Sequence, residues 1–496
     1  MDTEKFQSQL KAILPLILTY GSDFFGLTEE NFSKNPKEIH GRDFVNKCHE
    51  GFKQAQKVII SNLLELEQEI KSAKRELKNF IAMNPHHPQN LPEYKAIEEK
   101  IRGLEFQGSS FREAANVMAW NMLGFDQPNI KMFAQANMHQ GHISDQNLKS
   151  VSTIADEINA DENSFALIND LTSILGVGDL LIAQNGRVEL AEVKEGRINE
   201  LISKLIEENL HNDPEVLNEL SKAHGSYIAD QIKRFGKQKE TMDAVIEYMN
   251  TGIGKDFVFG VFKNKYEVKA ETDTYIHLLH SAIDKFYTDR KLLLVPVDFG
   301  WIGIFDKTGK SEFVCALDFM HYLYHTITKP WEQCDYLKTG EQHYTLENPP
   351  EMFIYEKTPI YLVKNKVRVL SHQPLFLTLK SEYAIDLLAD KLGLYVYFDV
   401  DQFIKICETN GLQTGWLTQS QLDKFDYTKI KNFIPKFDDK YLQLEYKGNA
   451  SIFSYGYLYR LVYEFQSGQS LVEQIKEVMG NRSKYVNNKI DGRFDL

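Results

Sequence analysis

From Ile59 the apolar positions fall at Leu63, Leu66, Ile70, Ala73, Leu77 and Phe80, alternating spacings of four and three that lay one narrow stripe along a long helix. The loop NPHHPQNLP follows. A second stripe at Tyr94, Ile97, Ile101 and Leu104, with Pro92 at the helix start, then predicts an antiparallel helical hairpin. Such a hairpin packs on the body of the chain or on a partner subunit, which makes it the expected place for a homo-oligomer contact. In GSSFREAANVMAWNMLG (108–124), Phe111, Ala115, Met118 or Ala119, and Met122 share a face, and Gly124 stops the helix. After a further helical stretch the pattern turns strand-like at FALINDLTSI, where Asp170, with Thr172, reads as a turn former and otherwise as a further acidic ligand nine residues before Asp179. Segments 197–222 and 224–250 read as helices separated at Gly225.

Between these lies GVGDLLIAQNGRVELAEVKEG (176–196), two apolar alternating runs around Asn185-Gly186. That dipeptide is the strongest short signal for a two-residue type I′ turn, because both residues tolerate positive φ. A turn there pairs residues whose numbers sum to 371, so Asp179 falls opposite Glu192 on a face shared with Leu181, Leu190, Ala183, Val188 and, by period two, Lys194. Like charges directly across a strand pair are destabilising, and burying them among Leu and Val costs more. A divalent cation between the acids removes that penalty, and Mg²⁺ binds through one or two carboxylates plus water and phosphate. The competing explanation places both acids at exposed edges, paired with Lys194 or Arg187.

Beyond residue 255, DFVFGVF and KLLLVPVDFGWIGIF read as strands with the helical TYIHLLHSAIDKFY between them, and 311–496 as aromatic-rich mixed α and β. The chain of 496 residues is long enough for two to four domains. Its net charge of −13 argues against a wholesale nucleic-acid coat, though not against a local basic groove. Four cysteines, Cys48, Cys315, Cys334 and Cys407, have no CxxC spacing, so neither a zinc ribbon nor a disulfide framework is expected and a cytoplasmic setting fits. AILPLILTY, broken by Pro15, is too short for a bilayer, so no membrane partner is expected.

The motif GD-x12-ExK, with Asp179, Glu192 and Lys194, resembles the active-site signature of the PD-(D/E)xK nuclease superfamily, although Gly178 stands where that signature has proline. In that superfamily a helix often bearing a Glu precedes a three-stranded meander and another helix, often with Gln or basic residues, follows. The resemblance covers roughly residues 108–260 and implies a restriction-endonuclease-like core with a mixed central sheet flanked by helices (108–310), in an α/β chain whose pattern adds an N-terminal helical region (1–107) and a C-terminal α/β domain (311–496). It implies a Mg²⁺-dependent phosphodiester hydrolase, with Mn²⁺ able to substitute, acting on DNA in preference to RNA, as in bacterial anti-phage defence. Asp179, Glu192 and the Val193 carbonyl would hold the metal. Glu113 would add a direct or water-mediated ligand, with Glu157 or Glu162 as substitutes, and Lys194 would assist the water nucleophile. Gln231, Lys233 and Arg234 would contact the phosphate backbone. A regulatory or nucleic-acid-binding protein that keeps the fold without cleavage is the alternative.

Other constellations carry less. His321 with His325 and His277 with His280 have helical spacing but no supporting Glu. Gly252-x-Gly254-Lys255 lacks the spacing of a phosphate loop, and Phe299, Trp301 and Phe305 read as a buried strand.

Overall fold

The computed structural model describes residues 1–26, 36–126, 129–130, 132–133, 145–193, 213–224, 227–255, 262–264, 270–289, 293–308, 352–355, 358–363, 380–423, 434–437 and 440–480. The chain is a mixed α/β protein that divides into two compact units, Met1–Lys265 and Tyr266–Leu496. No helix of the described residues is long and apolar enough to cross a membrane.

In the first unit, α1 (Thr3–Leu18) is N-capped by Asp2, which accepts from the Lys5 amide at 2.8 Å, and buries Phe6, Leu10, Ile13, Leu14 and Ile17. A short α2 (Tyr20–Phe24) precedes α3 (Pro36–Met83), which breaks at Gly41 and then keeps helical backbone angles to its end. The expected stripe is real: Ile59, Leu63, Leu66 and Ala73 are buried. Near the hairpin tip Ala73 packs with Ile97 and Ile101 of α4 (Pro92–Met122), flanked by Leu77 and Phe80.

The boundary expected at 107 falls inside α4, which is one continuous helix of 31 residues. Gly108 costs such a helix about 1 kcal/mol. Burial of Phe111, with its ring edge-on to Phe6 at 5.4 Å, offsets that by about 2–3 kcal/mol, so packing overrides the local break signal. Gly124 does end it: the Phe125 amide donates to Trp120 O at 2.8 Å and the Gly124 amide to Asn121 O at 3.0 Å, a Schellman closure.

After α5 (Asp145–Asn159) comes an antiparallel meander of β1 (Ser164–Ile168), β2 (Leu180–Gln184) and β3 (Arg187–Ala191). All five residues of β1 are buried. Its outer edge would leave main-chain groups without partners. Gln56 of α3 meets that need by donating to Ala166 O and accepting from the Ile168 amide, both at 3.0 Å, and Asn159 accepts from the Ala166 amide at 2.8 Å. α6 (Pro214–His224), α7 (Tyr227–Thr251) and a small ribbon of β4 (Ile253–Lys255) and β5 (Phe262–Asn264) complete the unit. Gly252 closes α7, its amide bonded to Tyr248 O at 2.7 Å, so the Gly252–Lys255 segment is a helix stop leading into a strand.

In the second unit α8 (Ile276–Asp289) precedes a five-stranded sheet of order β6-β7-β10-β9-β8, from β6 (Leu293–Val297), β7 (Gly300–Asp306), β8 (Met352–Tyr355), β9 (Thr358–Val363) and β10 (Leu392–Phe398). Residues up to 310 are expected in the central core, yet β7 pairs along its whole length with β10, which draws the β6–β7 hairpin into this unit. Phe299 and Phe305 are buried, and Phe305 stacks on Tyr395 at 4.5 Å, in keeping with a buried strand. α9 (Ser381–Leu388), α10 (Val400–Thr409) and a second meander, β11 (Gln413–Leu417), β12 (Tyr441–Tyr446) and β13 (Asn449–Ile452), follow, with α11 (Gln419–Leu422) between its first two strands. α12 (Tyr455–Tyr463) and α13 (Gly468–Gly480) close the described chain.

Cys407 on α10 is fully buried, and burial pushes its thiol from 9.0 up to about 12. The fold therefore holds the protonated form, and this group's contribution to stability falls as the pH rises from 9 towards 12. At pH 8 the shift lowers the thiolate fraction by about a thousandfold. Peptide mapping after iodoacetamide treatment should find Cys407 unmodified in the native chain and modified once it is unfolded; equal rates in both states would refute this.

Candidate active site

Asn185 and Gly186 both have positive φ, 54° and 78°, as a type I′ turn requires. The strands pair from Gln184↔Arg187 through Leu181↔Leu190 to Leu180↔Ala191, the register expected from the sequence. The paired ladder ends there, and Asp179 and Glu192, both half-buried, lie just beyond it, with Asp179 set against Ala191, the residue already paired with Leu180. There the Asp179 amide donates to Ala191 O at 2.8 Å, and the Asp179 carboxylate, through Oδ2, accepts from the Val193 amide at 2.6 Å. The first acid therefore lies across the ribbon, against the peptide joining Glu192 to Val193. Arg187 sits beside the turn, five residues or about 16 Å along the strand from Glu192, too far to pair with either acid. Lys194 lies outside the described residues.

The bend before Asp179 explains the departure at Gly178. Its φ is +71°, a conformation closed to proline, whose ring holds φ near −65°. A Cβ there would also stand 3.1 Å from Ala191 O.

Of the three candidate acids, the structure brings Glu113 towards this end of the sheet. Its carboxylate accepts from Asn116 Nδ2 at 3.1 Å and from Ser173 Oγ at 3.3 Å, and Asn116 in turn accepts from the Ser173 amide at 2.8 Å. Arg112 beside it donates to the Asp170 and Thr172 carbonyls. Burial pulls the Arg112 guanidinium below its ordinary pKa, opposed by Asp170 and Glu67. One turn of α4 thus grips the β1–β2 connection. Glu157 and Glu162 are exposed near the start of β1, where Ser164 pairs with Gln184 beside the turn, at the far end from Asp179. Among the described residues no three His, Cys, Asp or Glu side chains gather into a metal-holding group, so Glu113 is not drawn into one cluster with Asp179 and Glu192, nor do His277 and His280 on α8 form one. His321 and His325 lie outside the described residues.

α7 covers β3. Met242 Cε and Leu190 Cδ2 both stand within 3.7 Å of where a Gly178 Cβ would be, so Met242 marks the point of the helix level with the acids. Gln231, half-buried, lies 11 residues earlier on the same face, about 16 Å along the axis. Lys233 and Arg234 are exposed, the latter with its guanidinium over the Phe235 ring at 5.3 Å. At 3.4 Å per nucleotide of a duplex strand, about five steps would separate phosphates at Gln231 from one at the acids.

No protein-family model, curated protein or solved structure matches the chain. The chemistry therefore rests on the groups themselves. Carboxylate and main-chain carbonyl oxygens such as those of Asp179, Glu192 and Val193 are hard donors, which suit Mg²⁺ or Mn²⁺ and not a soft metal. An Asp179 oxygen that accepts an N–H keeps lone pairs for a cation. Sequence reasoning missed Asn116, Ser173 and Asn169, whose only signals were ordinary turn and helix-face positions.

Gly178→Ala should destabilise the chain by about 1–2 kcal/mol, the cost of a left-handed L residue, and Gly178→Pro by more. Chemical denaturation measures both; a change within 0.5 kcal/mol for each would contradict the assigned backbone.

Proposed function

We propose that the chain is a Mg²⁺-dependent nuclease of the restriction-endonuclease-like kind, hydrolysing phosphodiester bonds in DNA in preference to RNA. The observation that carries this is the Asp179 carboxylate lying against the Glu192–Val193 peptide at the end of a paired ribbon. The order helix, three-stranded antiparallel meander, helix around that ribbon supports it, although the described sheet has no parallel strand.

Asp179, Glu192 and the Val193 carbonyl would hold the ion. When bound, Mg²⁺ supplies Lewis acidity to a phosphoryl oxygen and a more acidic water. Lys194 orients the water and stabilises charge on the phosphate. Glu113, already tied to Asn116 and Ser173, acts through water, and Gln231, Lys233 and Arg234 hold the backbone several nucleotides away. The net charge of −13 favours one second reading, a nucleic-acid-binding or regulatory protein that does not cut.

Purified chain incubated with linear, circular and single-stranded DNA, and with RNA, in Mg²⁺, Mn²⁺ or EDTA distinguishes these readings. Cleavage should need the metal and fall by about a hundredfold or more in Asp179→Ala and in Lys194→Ala. Cleavage that survives both substitutions removes the site; binding without cutting favours the second reading.

A further inference from the structure

Asn169 is almost fully buried, at 1% exposure, and donates three times to three successive carbonyls: Nδ2 to Val177 O at 2.7 Å and Gly178 O at 3.1 Å, and its main-chain amide to Asp179 O at 2.9 Å. Its own carbonyl is fixed in turn by the Thr172 amide at 2.9 Å and Thr172 Oγ1 at 2.8 Å. Its Oδ1 is buried and meets no donor among the described residues. An acceptor left so costs free energy. The amide is nonetheless held this way round, because the other orientation would set Oδ1 against two carbonyl oxygens.

We infer that Asn169 is a positioning residue: by pinning the Val177–Asp179 bend it sets where the Asp179 carboxylate stands against Val193, and through that the affinity of the acid pair for a divalent cation. The last clause rests on the nuclease reading; the first does not. Every bond that Asn169 makes among the described residues stays within residues 169–179, while β1 is anchored independently by Gln56 and Asn159. Its removal therefore acts on the bend and not on the sheet. A carboxylate in its place would face the two carbonyls as an anion. It would be driven to the neutral form, in which a single O–H restores one of the two donor bonds.

Residue-resolved amide hydrogen exchange on the full chain tests this. In Asn169→Ala the protection of the Val193 amide should fall at least about tenfold while Ala166 and Ile168 stay protected. The isosteric Asn169→Asp, which restores one of the two donor bonds, should lose less Val193 protection than Asn169→Ala. Unchanged Val193 protection in both variants overturns the inference. So does equal loss across β1 in both, which would make Asn169 a general stability residue. Where the wild-type chain cleaves DNA, Asn169→Ala should raise the Mg²⁺ concentration for half-maximal cleavage about tenfold, with kcat at saturating Mg²⁺ nearly unchanged; an unchanged Mg²⁺ requirement overturns the second clause. A wild-type chain that does not cleave defeats the nuclease reading, and the exchange result still decides the role of Asn169.

Discussion

The register of the β2–β3 ribbon is set at one end and used at the other. Asn185 and Gly186 take the positive φ values of a two-residue turn, and from there the strands pair without a slip to Leu180 and Ala191. A slip of one residue would turn the side chains of one strand to the other face, because they alternate. A turn of two residues thus sets the register up to the point, about five residues away, where the two acids stand.

What surrounds the ribbon keeps its open end in place. α3 and α5 satisfy the free edge of β1 with side-chain amides, so the sheet needs no further strand there. α4 reaches the β1–β2 connection with Arg112, Glu113 and Asn116, and α7 lies over β3 with Met242 beside Gly178. Half-burial of the acids follows from this covering, and a carboxylate withdrawn from water attracts a cation more strongly than one in open solvent.

Local periodicity made much of this legible. The hairpin register, the long helical stripe from Ile59 and the stop at Gly124 all follow from short-range rules, and each stands in the structure. Domain limits were not legible, because they depend on contacts distant in sequence. Residue 107 reads as the end of a region until Phe111 is seen packed on Phe6, and Leu293–Asp306 reads as part of the central unit until Leu392–Phe398 is seen paired with it. Gly178 reads as a harmless replacement for proline, whereas its φ of +71° makes proline impossible. Asn169 was invisible for a similar reason: an Asn at the end of a strand reads as a turn former, and nothing local shows that it holds three carbonyls eight to ten residues on.

The central claim is that Asp179 and Glu192 share one hard cation. Mn²⁺ titration followed by electron paramagnetic resonance, on wild-type chain and on Asp179→Asn and Glu192→Gln, measures it most directly. One bound ion in the wild type, lost or weakened at least about tenfold by either substitution alone, is the predicted result. Equal Mn²⁺ binding in all three proteins, or none in any, would contradict the account.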